Sequence, residues 1–167
     1  LIACGGTAMT LLGVKASTKD IDFMVPNDKE YGYLTSILTD IGYKNEGGFR
    51  WKKEKEPFDI DLFVGKKIHT TELLKSPLDI GNHVFLQNIG RLYIGVINFY
   101  DLISSKLIRG TSVDFEDCLM LVRAKGKEID KDLLKKHYSE LISYDVSEER
   151  IRGHLDSFLD RLGKEVG

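Results

Sequence analysis

Cysteine is scarce in this chain: two residues in 167, Cys4 in an apolar run and Cys118 in a helical pattern. That excludes a disulfide framework and a thiolate zinc site, and points to reduced, packed thiols in an intracellular, cytoplasmic protein. Proline occurs three times, so no polyproline linker is present. The sequence contains no internal repeat, no low-complexity stretch and no apolar run of membrane-spanning length. Charge of one sign is missing too. A formal net charge of -2 gives no global electrostatic case for nucleic-acid binding. The four histidines, His69, His83, His137 and His154, stand too far apart to suggest a ligand set or a nucleophile's partner. The first residue is Leu rather than Met, so the reading expects the true N-terminus, with any targeting signal, to lie upstream.

What is present describes an ordinary globular protein with 42% hydrophobic and 30% charged residues. Alternating strands and helices fill the first half. A short buried strand, Leu1 to Cys4, leads into a brief helix from Gly6 to Leu12, and Asp20 to Val25 forms a strand stopped by Pro26. Asn27 caps a helix running to about Ile41, with Glu30 placed for a capping box. Its positions Tyr31, Leu34, Ile37, Leu38 and Ile41 fall on one face, and Gly42 ends it. Strands follow at 49–53, 58–64, 84–89 and 92–97, with a short helix expected from Glu72 to Lys75. Beyond Ile97 the apolar period changes from two to about 3.6. Helices are expected from Asn98 to Gly110, Asp114 to Ala124, Asp130 to Ile142, and from Ser147 through Leu162. Mixed β structure followed by helices is an α+β arrangement.

Two segments carry chemistry. Gly5-Gly6 bends the chain into a helix start, where bare N–H groups can meet phosphate oxygens. Asp20-Ile21-Asp22-Phe23 then sets two carboxylates at i and i+2 on one strand, on the face opposite Ile21, Phe23 and Val25. Thr18 and Lys19 immediately precede them. A second such strand, Asp59-Ile60-Asp61-Leu62-Phe63, brings a further pair. If the two strands are neighbours, three or four carboxylates converge, an arrangement that like-charge repulsion disfavours unless a cation enters. Phe49-Arg50-Trp51-Lys52-Lys53 interleaves aromatics with bases, but Glu54 and Glu56 make a solvated hairpin the better reading.

With Cys4-Gly5-Gly6, Asp20-Ile21-Asp22-Phe23 and Asp61-Leu62-Phe63 in place, the chain resembles the nucleotidyltransferase superfamily built on the DNA polymerase β-like catalytic fold. It is closest in flavour to small antitoxin-paired and aminoglycoside-modifying members. The likeness covers roughly residues 3 to 122 and continues into Asn98–Leu107 and Asp114–Cys118. It implies a mixed-sheet catalytic core over 1–97 and a helical region packed on it over 98–167. It implies metal ligation and catalysis by Asp20, Asp22 and Asp61, with Asp59 competing for the third position. Gly5, Gly6, Thr7, Thr18, Lys19 and Lys106 would bind the nucleotide. The implied cofactor is Mg²⁺ or Mn²⁺, two cations about 3.5–4 Å apart clamping the attacking and leaving oxygens. The substrate would be a nucleoside triphosphate, ATP first among them. The acceptor would be a small molecule such as an antibiotic, a tRNA end or a protein side chain; the partner, a cognate antitoxin or a second copy. One departure is Thr111-Ser112-Val113 before Asp114, where many relatives place a basic residue. Two other readings use the same residues: a sugar-nucleotide glycosyltransferase with an Asp-x-Asp strand, which leaves the Gly-Gly bend unexplained, and a non-catalytic binder of nucleotide or partner.

Overall fold

The computed structural model describes residues 1–145 and 147–166. The chain divides into two compact units, Leu1–Asn98 and Phe99–Gly167.

Strands β1 (Ile2–Ala3), β2 (Asp20–Val25), β3 (Lys44–Gly47), β4 (Arg50–Lys52), β5 (Asp59–Val64), β6 (Lys67–Ile68), β7 (Thr71–Glu72), β8 (His83–Ile89) and β9 (Leu92–Ile97) belong to the first unit, with helices α1 (Gly5–Leu11) and α2 (Asp28–Asp40). Seven of the strands make one mixed sheet in the order β3-β4-β5-β2-β1-β9-β8, while β6 and β7 form a separate ladder. β2 lies parallel to β5 and antiparallel to β1, and β1 lies parallel to β9. Parallel neighbours in register point paired side chains to the same face. Phe23 pairs with Leu62, and Asp22 with Asp61. One face of β2–β5 is therefore apolar and the other acidic. Val25, Leu38, Trp51 and Leu62 form the core on the apolar face, joined by the half-buried Phe23, Tyr31, Leu34 and Ile60. α2 supplies Leu38 to this core. Asn27 caps it as expected, its side chain accepting hydrogen bonds from the N–H groups of Lys29 and Glu30 at 3.0 and 3.2 Å. The expected apolar stripe is only half used, since Ile37 and Ile41 stay exposed.

Two local expectations change. β3 was hidden by its composition, because Lys44-Asn45-Glu46-Gly47 is exposed throughout and lacks any apolar alternation. Thr71–Glu72 pairs as a strand with Lys67–Ile68 where a helix was expected from Glu72. The apolar pair Leu73-Leu74 is too short to separate the two periods. The β8–β9 hairpin turns at Gly90, whose φ of +60° suits glycine, after pairing Ile89 with Leu92.

Helices α3 (Phe99–Arg109), α4 (Ser112–Lys125), α5 (Lys131–Ile142) and α6 (Glu148–Val166) make the second unit, with a 3₁₀ turn at Gly126–Glu128. Its core includes Leu102, Ile103, Leu107, Cys118, Leu121, Leu134, Ile142, Ile151 and Phe158. α4 starts earlier than the sequence suggests. Thr111 caps it and closes a capping box with Asp114, so the departure at 111–113 is a helix start. Among the described residues, no helix is long and apolar enough to cross a membrane.

Candidate functional site

The site grows from the bend between β1 and α1. Gly5 takes φ +54°, and a Cβ there would sit 2.6 Å from an Asp22 carboxylate oxygen. At Gly6 a Cβ would run into the Thr18 hydroxyl. Both glycines are thus required by close approach, one to each end of the acidic segment. Thr7 locks the bend to β2: its hydroxyl donates to the Asp20 carbonyl at 3.2 Å and accepts from the Asp22 N–H at 2.8 Å. The Cys4 N–H adds a bond to the Asp22 carbonyl at 3.2 Å. Gly5, Gly6, Thr7, Thr18, Asp20 and Asp22 therefore form one connected constellation. Lys19 lies beside it on the chain, exposed to solvent.

Asp22 is 8% exposed, and its Oδ2 accepts from the Gly6 N–H at 3.0 Å and the Thr7 N–H at 3.5 Å. The amides that the sequence reading offers to phosphate are here satisfied by a carboxylate. Burial pushes the Asp22 carboxyl above its ordinary range; the hydrogen bonds from Thr7 and Gly6 oppose this, and the charges of Asp61 and Asp20 add to it. The four carboxylates fall on one face through register alone, since Asp20 pairs with Asp59 and Asp22 with Asp61. Asp61 is 1% exposed, while Asp59 is half-buried, with the Lys52 ammonium 3.9 Å away.

Arg50, read from the sequence as part of a solvated hairpin, pairs with the acidic face. β4 runs antiparallel to β5 and sets Arg50 directly opposite Asp61, with Trp51 opposite Ile60 on the apolar face. Arg50 Nε donates to Asp61 Oδ1 at 3.0 Å and Nη2 to Oδ2 at 3.1 Å, a bidentate pair. These bonds, and the Asp61 charge with them, raise the guanidinium's pKa further above its ordinary value. The signal was the alternation Phe49-Arg50-Trp51. A buried Trp forces its neighbour onto the opposite face, which is the acidic one.

As donors, Asp20, Asp22 and Asp61 suit a hard divalent cation: all are carboxylates on one face, and their mutual repulsion is what such an ion relieves. Asp22 accepts from the α1 amides, and Asp61 from Arg50. Among the described residues no group of three or more His, Cys, Asp or Glu side chains is arranged to hold a metal ion. The donor set fits a divalent ion in kind, then, with Asp61 engaged elsewhere.

Lys106, the expected phosphate ligand on α3, is buried. Its ammonium lies 2.7 Å from Asp117 and 3.8 Å from Asp114. Arg109 also pairs with Asp114, and Thr111 donates to it at 2.7 Å.

The mixed sheet, the glycine bend and the paired acidic strands together describe a nucleotidyltransferase-like fold, and comparison with solved structures bears this out. The antibiotic-resistance factor ANT(2'')-Ia, an aminoglycoside nucleotidyltransferase, superposes with a TM-score of 0.56 over 92% of this chain and 87% of its own, at 17% identity. An antigenic nucleotidyltransferase-like protein from Paracoccidioides brasiliensis is also similar, with a TM-score of 0.46 over 93% of this chain and 83% of its own, at 11% identity. No family model and no curated protein matches the sequence.

Proposed function

We propose that this chain is a nucleotidyltransferase that moves a nucleoside monophosphate from a nucleoside triphosphate, ATP by preference, to an acceptor hydroxyl, releasing pyrophosphate. One observation carries the reading: the in-register placement of Asp22 and Asp61 on parallel strands, beside a glycine bend whose two residues admit no Cβ. Asp20 and Asp22 would hold a divalent cation, with Asp61 completing the set. The cation, Mg²⁺ or Mn²⁺, would supply charge neutralisation at the transferring phosphorus and its leaving oxygens.

The chain's own residues do the rest. Thr7 fixes the spacing of Asp20 and Asp22 by holding the β2 backbone between them. The Gly6 and Thr7 amides bind Asp22 until phosphate oxygens compete for them, and the missing Cβ atoms let a phosphate approach the backbone. Thr18 and Lys19 flank the same bend and would contact the phosphates. Asp61, buried and acceptor-only when ionised, would take the acceptor's proton. The acceptor class follows the reading only as far as a nucleophilic hydroxyl.

The test is pyrophosphate release and transfer of α-labelled nucleotide in the presence of Mg²⁺ and cell extract. Wild-type chain labels an acceptor, and Asp22→Asn lowers the rate by at least about a thousandfold with an unchanged circular-dichroism spectrum. Full activity in that variant refutes the assignment. Release of nucleoside diphosphate from a sugar-nucleotide donor supplied in place of the triphosphate would mark a glycosyl transfer instead.

A further inference from the structure

We infer that Arg50 is a positioning residue that couples cation entry to triphosphate binding. It holds Asp61 while the site has neither, and yields it when incoming phosphates offer the guanidinium a replacement anion. The inference rests on the nucleotidyl-transfer reading above and adds to it a residue that the acidic motif does not contain.

Three observations support it. First, the pair is bidentate: each Asp61 oxygen accepts from one guanidinium nitrogen, at 3.0 and 3.1 Å, so a full positive charge already sits on both. A cation that needs those oxygens therefore competes directly with Arg50. Second, the partners are unequal in freedom. The Asp61 side chain is 2% exposed on a central strand, whereas that of Arg50 is 42% exposed on a short strand nearer the sheet edge. Arg50 is the partner that can leave. Third, the charge on this face requires a substitute. Asp20, Asp22, Asp59 and Asp61 share it, and stripping Arg50 from Asp61 would leave a buried carboxylate unpaired beside Asp22.

A divalent cation is such a substitute for Asp61, but the released guanidinium then loses its anion. A cation arriving alone thus displaces one paired charge and strands another. A cation arriving with a triphosphate brings phosphate oxygens, which match the planar guanidinium fork as well as a carboxylate does. Cation and nucleotide should each tighten the other, by the same factor.

The test uses Mn²⁺ as probe, its free concentration read by electron paramagnetic resonance. The full chain is titrated with and without a triphosphate analogue whose α,β-bridge is a methylene group. In wild type the analogue tightens Mn²⁺ strongly. In Arg50→Gln, Mn²⁺ alone binds about tenfold tighter than in wild type, and the analogue's tightening shrinks towards none. Arg50→Lys, which keeps the charge but not the fork, falls between them and carries the test if the glutamine variant does not fold. Equal or weaker binding of Mn²⁺ alone in both variants overturns the inference. An Asp22→Asn control separates the two claims. If it abolishes Mn²⁺ binding in the analogue's presence while Arg50 variants match wild type, nucleotidyl transfer stands and the coupling falls. If wild type binds no Mn²⁺ even with the analogue, both fall.

Discussion

Asp22 carries an electrostatic conflict. It is buried, faces the charges of Asp61 and Asp20, and accepts from the Gly6 and Thr7 amides. Its carboxyl is raised from an ordinary value of 3.8, so the folded chain binds that proton more tightly than the unfolded chain does. Stability is therefore highest below that value and falls as pH rises through the folded pKa, and the penalty is complete above it. Asp22→Asn removes the charge but keeps an oxygen for the Gly6 N–H. It should stabilise the fold at pH 7 by about 1 kcal/mol, with the gain shrinking on acidification. Denaturant midpoints at neutral and acid pH check this, and a loss of stability at pH 7 would contradict it. Lys106 shows the opposite economy of charge. Its ammonium is matched to Asp117 and Asp114 in the helical unit, which supports a role in fixing α3 to α4. Truncating it to Ala removes a buried ammonium from beside two buried carboxylates and should destabilise by about 3–5 kcal/mol.

At the scale of elements, the bend from β1 into α1 is the part built with least tolerance. Gly5→Ala meets both a positive φ and the Asp22 carboxylate, so it should lower stability by about 2 kcal/mol or more and abolish activity. A soluble, fully active Gly5→Ala variant would show that the close approach is dispensable. Thr111 is the counterpart in the second unit, capping α4 through the Asp114 N–H at 3.2 Å. Thr111→Ala should cost about 1–2 kcal/mol in denaturant unfolding. The sequence motifs pointed to the glycine bend and to both acidic strands, because glycine pairs and acids alternating with apolar residues are visible before the fold is known. They did not locate Arg50's role, since a basic residue among Trp51, Lys52 and Lys53 reads as solvated until pairing with β5 is known. Nor did they locate β3, whose residues bury nothing.

For the whole molecule, the sheet order is what turns two separate acidic strands into one face. β2 and β5 are neighbours in the middle of seven strands, although α2 and two further strands separate them in the chain. A parallel crossover of that length is not encoded by any local pattern. What the sequence did contain was the demand for it: apolar residues alternating with acids on both strands bury one face each only if the strands share a core. The acidic side then follows from register, with Asp22 opposite Asp61. Under the proposed function, nucleotide binding depends on both residues. Calorimetric titration with Mg²⁺ and the α,β-methylene analogue measures it most directly. Wild type should bind at submillimolar nucleotide, and Asp22→Asn and Asp61→Asn should each lose that binding. No heat from wild type at millimolar nucleotide, or undiminished binding in both variants, would contradict the account.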